Sequence, residues 1–446
     1  MGKLFGTDGV RGLANTELTP ELAFKLGRAA ATYFGREKKQ PVLYIGRDTR
    51  ISGQMLEAAL AAGICSAGGK AVLLGVMPTP AVAFLARSHG VQSGVVISAS
   101  HNPYPDNGIK FFAGNGYKLS DAAEDELEEL VLAQDDKLAR PTAGDVGVIQ
   151  QHHDLLKEYI DHVVGSISKN FYGLKIVVDC ANGAAYEAAP VALKKLGAEV
   201  IVVNNHPDGV NINHHCGSTH LEGLQQAVRE HHAHLGIAHD GDADRCLVVD
   251  ENGEVVDGDQ IMVICALDLM KQGKLADNTL VTTVMSNLGL HQAMKRAGGK
   301  IEVTAVGDRY VLEAMQAKKL SLGGEQSGHI IFADHSTTGD GLLTALRLVS
   351  ALVESERKLS ELAAVMTRFP QTLVNIRVKS KAGWQENAAI SAAIQEGEAK
   401  LGEDGRILVR PSGTEPLIRV MAEGPNQREL EAIAENIAGV ISAQLA

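Results

Sequence analysis

Aromatic residues are scarce in this chain: Phe, Trp and Tyr together make up 4% of its 446 residues. So few rings leave little surface on which nucleic-acid bases can stack. Basic residues are outnumbered too, 42 Lys and Arg against 54 Asp and Glu, which gives a net charge of −12. The chain as a whole therefore repels a phosphate backbone, and nucleic acid is set aside as a partner. An anionic small molecule remains open to it, provided that cationic pockets form locally. The five cysteines, Cys65, Cys180, Cys216, Cys246 and Cys265, are irregularly spaced and form no CxxC pair. The expected reading is buried or free thiols in a reducing cytosol rather than a disulfide framework. Long apolar runs are missing as well. Met1-Gly2-Lys3-Leu4-Phe5-Gly6 soon turns polar, and no stretch is long enough to cross a bilayer. The expectation is a soluble, cytoplasmic protein with no membrane partner.

What is present is a chain long enough for several domains, with 45% hydrophobic residues to fill their cores. Val42-Leu43-Tyr44-Ile45 reads as a strand and Gly53 to Cys65 as a helix. Val95-Val96-Ile97 is a short buried strand that stops at Ser98. Lys175 to Asp179, Ala184 to Leu196 and Val200 to Val203 repeat the strand–helix–strand rhythm, and Leu280 to Val303 repeats it again. Such alternation argues for α/β layers with mostly parallel sheets. No clean sequence self-similarity accompanies the rhythm. Arg140-Pro141-Thr142-Ala143-Gly144-Asp145 has linker composition, and a helix from about His152 to Ile167 follows it. Asn252-Gly253 between valine pairs is a hairpin signal. A helix must stop before Phe369-Pro370. Beyond it come a strand from Leu373, a helix from about Glu386, strands around Ile407 and Ile418, and a last helix. Four domains are expected: 1–150, 151–252, 253–369 and 370–446.

Four motifs carry chemistry. Ser98-Ala99-Ser100-His101-Asn102-Pro103 follows a buried strand, where ligands meet the sheet in α/β folds. It offers a hydroxyl nucleophile, which needs activation or a group already attached. An ordinary Ser/Asn turn is the bland alternative, and Lys110 lies just beyond. In Asp240-Gly241-Asp242-Ala243-Asp244-Arg245, alternate side chains of an extended segment point the same way. Three carboxylates then converge, the ligand type that Mg²⁺ favours. Packed so closely they repel one another, and a cation among them removes that cost. Arg410-Pro411-Ser412-Gly413-Thr414-Glu415-Pro416 ends a strand with a guanidinium, two hydroxyls and a glycine, and Arg419 lies close by, all suited to an anion. Gly323-Gly324-Glu325-Gln326-Ser327-Gly328-His329 offers the mixed donors and acceptors that sugar hydroxyls need. His214, His215 and His220, and His231, His232 and His234, make no HExxH pattern and read as surface residues rather than a zinc site.

In this order the four motifs resemble the α-D-phosphohexomutase superfamily. The likeness begins at Phe5-Gly6-Thr7-Asp8-Gly9-Val10-Arg11-Gly12 and runs through Gly46-Arg47-Asp48-Thr49-Arg50 to the loop starting at Arg410. The resemblance implies three related mixed-sheet α/β domains and a C-terminal α+β domain similar to the TATA-box-binding-protein fold, all around a central cleft. It implies that Ser100 carries phosphate and that Asp240, Asp242 and Asp244 hold one Mg²⁺ ion, with the Ser100 phosphate as a further ligand. Arg11, His101, Lys110 and Arg245 would lie around the transferring group. Glu325, Ser327, His329 and Arg309 would contact the sugar. Arg410, Ser412, Gly413, Thr414 and Arg419 would grip the phosphate that is not reacting. Gln326, within Gly324 to His329, stands where relatives acting on glucose or mannose phosphates usually carry Met or another residue. With Asn211 to His220 and Val306 to Val311, it points to the branch that interconverts glucosamine 6-phosphate and glucosamine 1-phosphate through a sugar 1,6-bisphosphate. A homodimer is the assembly that the family suggests. A glucose or mannose phosphate mutase, a metal-dependent phosphatase and a non-catalytic sugar-phosphate sensor use overlapping parts and stay open at this point.

Overall fold

A computed structural model describes residues 4–6, 8–36, 38–133, 138–412 and 416–445. The chain forms two compact units, residues 1–284 with 300–364, and residues 285–299 with 365–446.

Among the described residues, the first unit holds three mixed sheets. In the first, Val42–Arg47 runs parallel to Lys70–Val76 and to Ser93–Ile97. Asp106–Ala113 and then Val10–Leu13 extend it antiparallel at one edge, and Ile149–Gln151 closes the other edge in parallel. Leu43, Ile45, Leu56, Leu60 and Ile97 are fully buried in the core between this sheet and its helices. In the second sheet Lys175–Asp179 lies between Glu199–Val203 and Leu235–His239, both parallel to it. Cys246–Asp250 and Val255–Val256 follow antiparallel. The Asn252-Gly253 turn joins those two strands, with Gly253 at φ 86° and its amide donating to the Asp250 carbonyl. In the third sheet Thr279–Thr283 pairs in parallel with Lys300–Thr304 and Leu322–Gly324, and Ile330–Phe332 folds back on Leu322–Gly324.

The expectation of mostly parallel sheets needs refinement. Helical crossovers make the strands parallel, but each sheet also carries strands joined by short connections, and those must run antiparallel. The helix read from about His152 is a 3₁₀ turn, His153–Leu155, that runs into an α-helix, Leu156–Gly165.

The second unit is built on three antiparallel strands, with Leu417–Glu423 between Gln371–Arg377 and Arg406–Pro411. Helices Ala388–Leu401 and Gln427–Leu445 bury Ile390, Leu430, Ile433 and Ile437 against Ile418 and Val420. Helix Leu288–Arg296 belongs to this unit, its first amide donating to Glu423. Among the described residues no helix is long and apolar enough to cross a membrane.

Candidate active site

Strand Ser93–Ile97 is buried along its whole length and delivers Ser98 to Ser100 at its end. Ser100 is 3% exposed and adopts φ 51°, a left-handed conformation that costs a non-glycine residue about 1–3 kcal/mol. A polar floor holds it there. The Ser100 amide donates to Ser98 Oγ at 3.0 Å, and the Ser98 hydroxyl donates to Asp48 Oδ2 at 2.6 Å. Asp48 pairs with Arg50 at 2.9 Å, and neither side chain is exposed. The Arg50 guanidinium then donates to the carbonyls of Ser100, Asn102 and Pro103 at 2.9, 2.8 and 2.5 Å. Asn213 Nδ2 donates to the first two of these carbonyls as well.

The carboxylate loop follows Leu235–His239, another fully buried strand. It meets the serine turn backbone to backbone: a Cβ on Gly241 would lie 2.5 Å from the Ser100 carbonyl oxygen. The Ser100 hydroxyl donates to Asp240 Oδ2 at 2.7 Å and lies 3.3 Å from His101 Nδ1. Asp242 accepts from Thr79 Oγ1 at 2.7 Å, and its carbonyl accepts the Thr79 amide at 2.9 Å. Thr79 opens helix Thr79–His89, so the carboxylate sits where the helix dipole favours a negative charge. Ala243, at φ 58°, turns the loop, and its carbonyl accepts the first amide of helix Gly341–Ser355.

Asp240, Asp242 and Asp244 are all buried, and one carboxylate oxygen from each lies within 4.8 Å of the others. Asp242 Oδ1 and Asp244 Oδ1 are buried without a hydrogen-bond partner among the described residues. Oxygen donors alone, converging and unsatisfied, fit a hard divalent cation such as Mg²⁺. Electrostatics agree. Burial and the charges of Asp244 and Asp242 push the Asp240 carboxyl well above its usual range. Asp244 is raised too, by burial and Asp242. Against the cost of burial, the Lys110 ammonium and the Thr79 bond hold Asp242 low. Lys110 Nζ lies 3.2 Å from Asp242 and 2.9 Å from Asp8. These two carboxylates outweigh burial and keep it an ammonium. Burial, with Arg245 and Arg11 nearby, pushes the His101 imidazole down to about 4.

A buried hydroxyl against a carboxylate cluster, ringed by cations, suits phosphoryl transfer, which is mainly positioning and charge stabilisation. Sequence comparison agrees with that chemistry. Four models of phosphoglucomutase/phosphomannomutase domains match the chain: α/β/α domain I at residues 2–138, α/β/α domain II at 157–253, α/β/α domain III at 257–369, and the C-terminal domain at 373–440. The chain belongs to the phosphoglucomutase/phosphomannomutase family. Among its relatives, a phosphoglucosamine mutase of Symbiobacterium thermophilum is 58% identical over 448 residues, covering 100% of both chains. A crystal structure of a phosphoglucomutase/phosphomannomutase family protein from Burkholderia thailandensis is 26% identical with a TM-score of 0.82, covering 99% of this chain and 97% of that one. An N-acetylphosphoglucosamine mutase from Aspergillus fumigatus, solved with GlcNAc-6P and magnesium, shares the fold at 18% identity and a TM-score of 0.72, with 98% and 95% of the two chains covered.

Other candidate residues of this phosphoglucomutase/phosphomannomutase family member fall into three groups. Glu325, Ser327 and His329 lie in the turn between Leu322–Gly324 and Ile330–Phe332. The turn is tied to the carboxylate loop by the Cys246 amide, which donates to the Gly328 carbonyl at 3.0 Å, and by the backbone bridge between Arg245 and His329. Among the described residues, Ser327 Oγ and His329 Nδ1 are buried with no hydrogen-bond partner, while Glu325 Oε1 accepts the Gly307 amide. Gln326 instead donates to Asp257 Oδ2 at 3.3 Å, and Asp257 caps helix Gly258–Lys271. Arg309 stands apart from this group. Its guanidinium is bound by Asp121 and by Glu313 on its own helix, and its side chain is 45% exposed. Arg11 is held by Asp8.

Arg410 and Arg419 lie in the second unit, directly opposite each other on antiparallel strands. Like charges so placed destabilise a sheet pair, and burial with the Arg419 charge lowers the Arg410 guanidinium pKa. An anion bound beside the two guanidinium groups would relieve that repulsion. Ser412 is 3% exposed, its amide donates to the Leu417 carbonyl, and its own carbonyl accepts from Lys381. Gly413 and Thr414 fall outside the described residues.

Sequence reasoning missed Asp48, Arg50, Thr79 and Asn213 as parts of the site. A signal existed for the first two: a charge pair directly after the buried strand Val42–Arg47, in the same position that made Asp240 conspicuous.

Proposed function

We propose that this chain interconverts glucosamine 6-phosphate and glucosamine 1-phosphate, feeding amino-sugar nucleotide and cell-wall precursor synthesis. The observation that carries the reading is the Ser100 hydroxyl 2.7 Å from Asp240, inside a buried carboxylate triplet. The amino sugar rests on the full-length likeness to relatives named phosphoglucosamine mutase.

Ser100, once phosphorylated, gives its phosphoryl group to the free O1 of glucosamine 6-phosphate. The Oγ–P bond breaks, an O1–P bond forms, and the sugar hydroxyl loses its proton. The 1,6-bisphosphate turns over, and its 6-phosphoryl group returns to Ser100, leaving the 1-phosphate. Lys110, protonated, offsets charge on the moving oxygens, with Arg11 and Arg245. His101, kept neutral, lies 3.3 Å from the Ser100 hydroxyl and is one of the groups there that can accept a proton. Asp240, Asp242 and Asp244 would hold Mg²⁺, which supplies positive charge to the phosphoryl oxygens. Glu325, Ser327 and His329 bind sugar hydroxyls. Arg410, Ser412, Gly413, Thr414 and Arg419 hold the distal phosphate; Arg309 takes part only after leaving Asp121 and Glu313.

Ser100→Ala tests this directly. Phosphopeptide mapping should find phosphate on Ser100 in the wild type and none in the variant. A coupled assay should show turnover falling by at least about a thousandfold, as expected when a covalent step is lost. Near-normal turnover in the variant overturns the assignment. Release of inorganic phosphate at the turnover rate would identify a phosphatase instead.

A further inference from the structure

Two charged residues outside the proposed machinery close a ring around it. From the carboxylate loop, Asp242 Oδ2 lies 3.2 Å from Lys110 Nζ, which lies 2.9 Å from Asp8 Oδ2. Asp8 Oδ1 lies 2.7 Å from Lys118 Nζ, which lies 2.6 Å from Asp308 Oδ2. His329 Nε2 completes the circuit, 3.9 Å from Asp308 and 3.8 Å from Asp244 on the same carboxylate loop. Signs alternate along the run from Asp242 to Asp308.

The two residues come from separate elements. Lys118 follows the strand that carries Lys110 and makes a backbone bridge to Phe112 in that strand. Asp308 is the first residue of helix Asp308–Lys318, and the capping residue before it, Gly307, donates its amide to Glu325 Oε1 at 3.0 Å. The Lys118–Asp308 pair therefore joins the sheet that presents Ser100 and Lys110 to the turn that presents Glu325, Ser327 and His329. The side chains of Lys118, Asp308 and Asp8 are only 23–26% exposed, so their mutual charges are weakly screened. The carboxyls of Asp308 and Asp8 are correspondingly held low, although burial alone would raise them.

We propose that Lys118 and Asp308 are positioning residues. Their ion pair sets Lys110 through Asp8 and sets the sugar-binding turn through Gly307, so that the phosphoryl group and the acceptor hydroxyl meet at one spacing. This rests on the mutase reading above. Misplacement of about an ångström costs on the order of a hundredfold in rate. The cost should fall on kcat, because neither residue need touch the sugar for it to bind.

The test uses the full chain, steady-state kinetics with glucosamine 6-phosphate, and thermal unfolding to fix a working temperature below each variant's melting point. Lys118→Met should lower kcat by about 30- to 100-fold with KM changed less than about threefold. Lys118→Arg should restore kcat to within about fivefold, since a cavity of about 230 Å³ beside Lys118, Asp308 and Glu124 leaves room for the longer head group. Asp308→Asn should match Lys118→Met, and the double variant should be no worse than either single one. A wild-type kcat in Lys118→Met, a loss confined to KM, or fully additive losses overturns the proposal. Should Lys118→Met not fold, the isosteric Asp308→Asn decides, and an unchanged kcat there also overturns it. Absence of turnover in the wild-type chain removes the mutase reading and this proposal together. Wild-type turnover with an unaffected Lys118→Met removes this proposal alone.

Discussion

Glu124 lines the cavity beside Lys118 and Asp308, and its surroundings work against its charge. Burial and the neighbouring Asp121 push its carboxyl up to about 7, with Lys118 and Arg309 opposing. Between its ordinary value near 4.5 and about 7, the folded protein keeps a proton on Glu124 that the unfolded chain has released. The stability this group contributes is therefore present below the ordinary value and lost as pH rises through about 7. Glu124→Gln keeps the shape and abolishes the titration. The variant should melt above the wild type at pH ~8, and the gap should shrink towards zero by pH ~5. Calorimetry at the two pH values checks it, and a gap independent of pH would show that Glu124 ionises normally. The same dependence on neighbours separates Asp240 from Asp242. They are two residues apart and equally buried, yet burial and other carboxylates raise one while Lys110 holds the other low. Residue type gives no hint of that split.

Glu423 organises the second unit at the level of elements. It is fully buried in strand Leu417–Glu423 and accepts from Arg406 Nε at 2.6 Å, the Leu288 amide at 2.9 Å and Gln371 Nε2 at 3.0 Å. It thus joins two strands to the start of helix Leu288–Arg296, and Asn287, the cap of that helix, bonds both the amide and the carbonyl of Phe369. Glu423→Ala should destabilise the unit by about 3 kcal/mol, the low end for breaking a buried ion pair, since Arg406 is partly exposed. Urea unfolding measures the loss, and hydrogen exchange should quicken first at Leu288. Unchanged exchange at that amide would mean that the helix is held by apolar packing alone. None of this was legible in the sequence. Leu288–Arg296 lies between two strands of the third sheet and reads as their crossover helix; its bonds to the other unit, from Leu288 to Glu423, from Asn287 to Phe369 and from Arg296 to the Val365 carbonyl, join residues far apart in the chain. Local patterns were legible where periodicity and turn chemistry acted alone. Lys175–Asp179 is a strand as read, Gly53 to Cys65 lies within helix Ser52–Ser66, and Asn252-Gly253 makes its hairpin. The convergence of Asp240, Asp242 and Asp244 was legible because their spacing is local. Arg309 was not, since its guanidinium found Asp121, 188 residues away, which no spacing rule reveals.

For the whole molecule, the division into two units makes cation binding a spatially resolved event. The carboxylate triplet and every described group that bonds it belong to the first unit, whose strands Ser93–Ile97 and Leu235–His239 present the two facing loops. Without a cation, three buried carboxylates repel, and Asp242 Oδ1 and Asp244 Oδ1 lack hydrogen-bond partners among the described residues. A cation that binds only the folded first unit stabilises it by about 2.7 kcal/mol at a hundred times its Kd, which lowers the population of states opened at the triplet by about a hundredfold. Mg²⁺ added to the metal-free chain should therefore slow hydrogen exchange in peptides around residues 98–101, 179–183 and 240–246. Peptides from 371–377, 388–401 and 417–423, which carry no triplet ligand, should exchange as before. Asp242→Ala should abolish the protection while leaving the second unit's exchange unchanged. Protection spread evenly over both units would place the ion elsewhere or make it a general salt effect. Protection that survives in Asp242→Ala would remove that carboxylate from the ligand set.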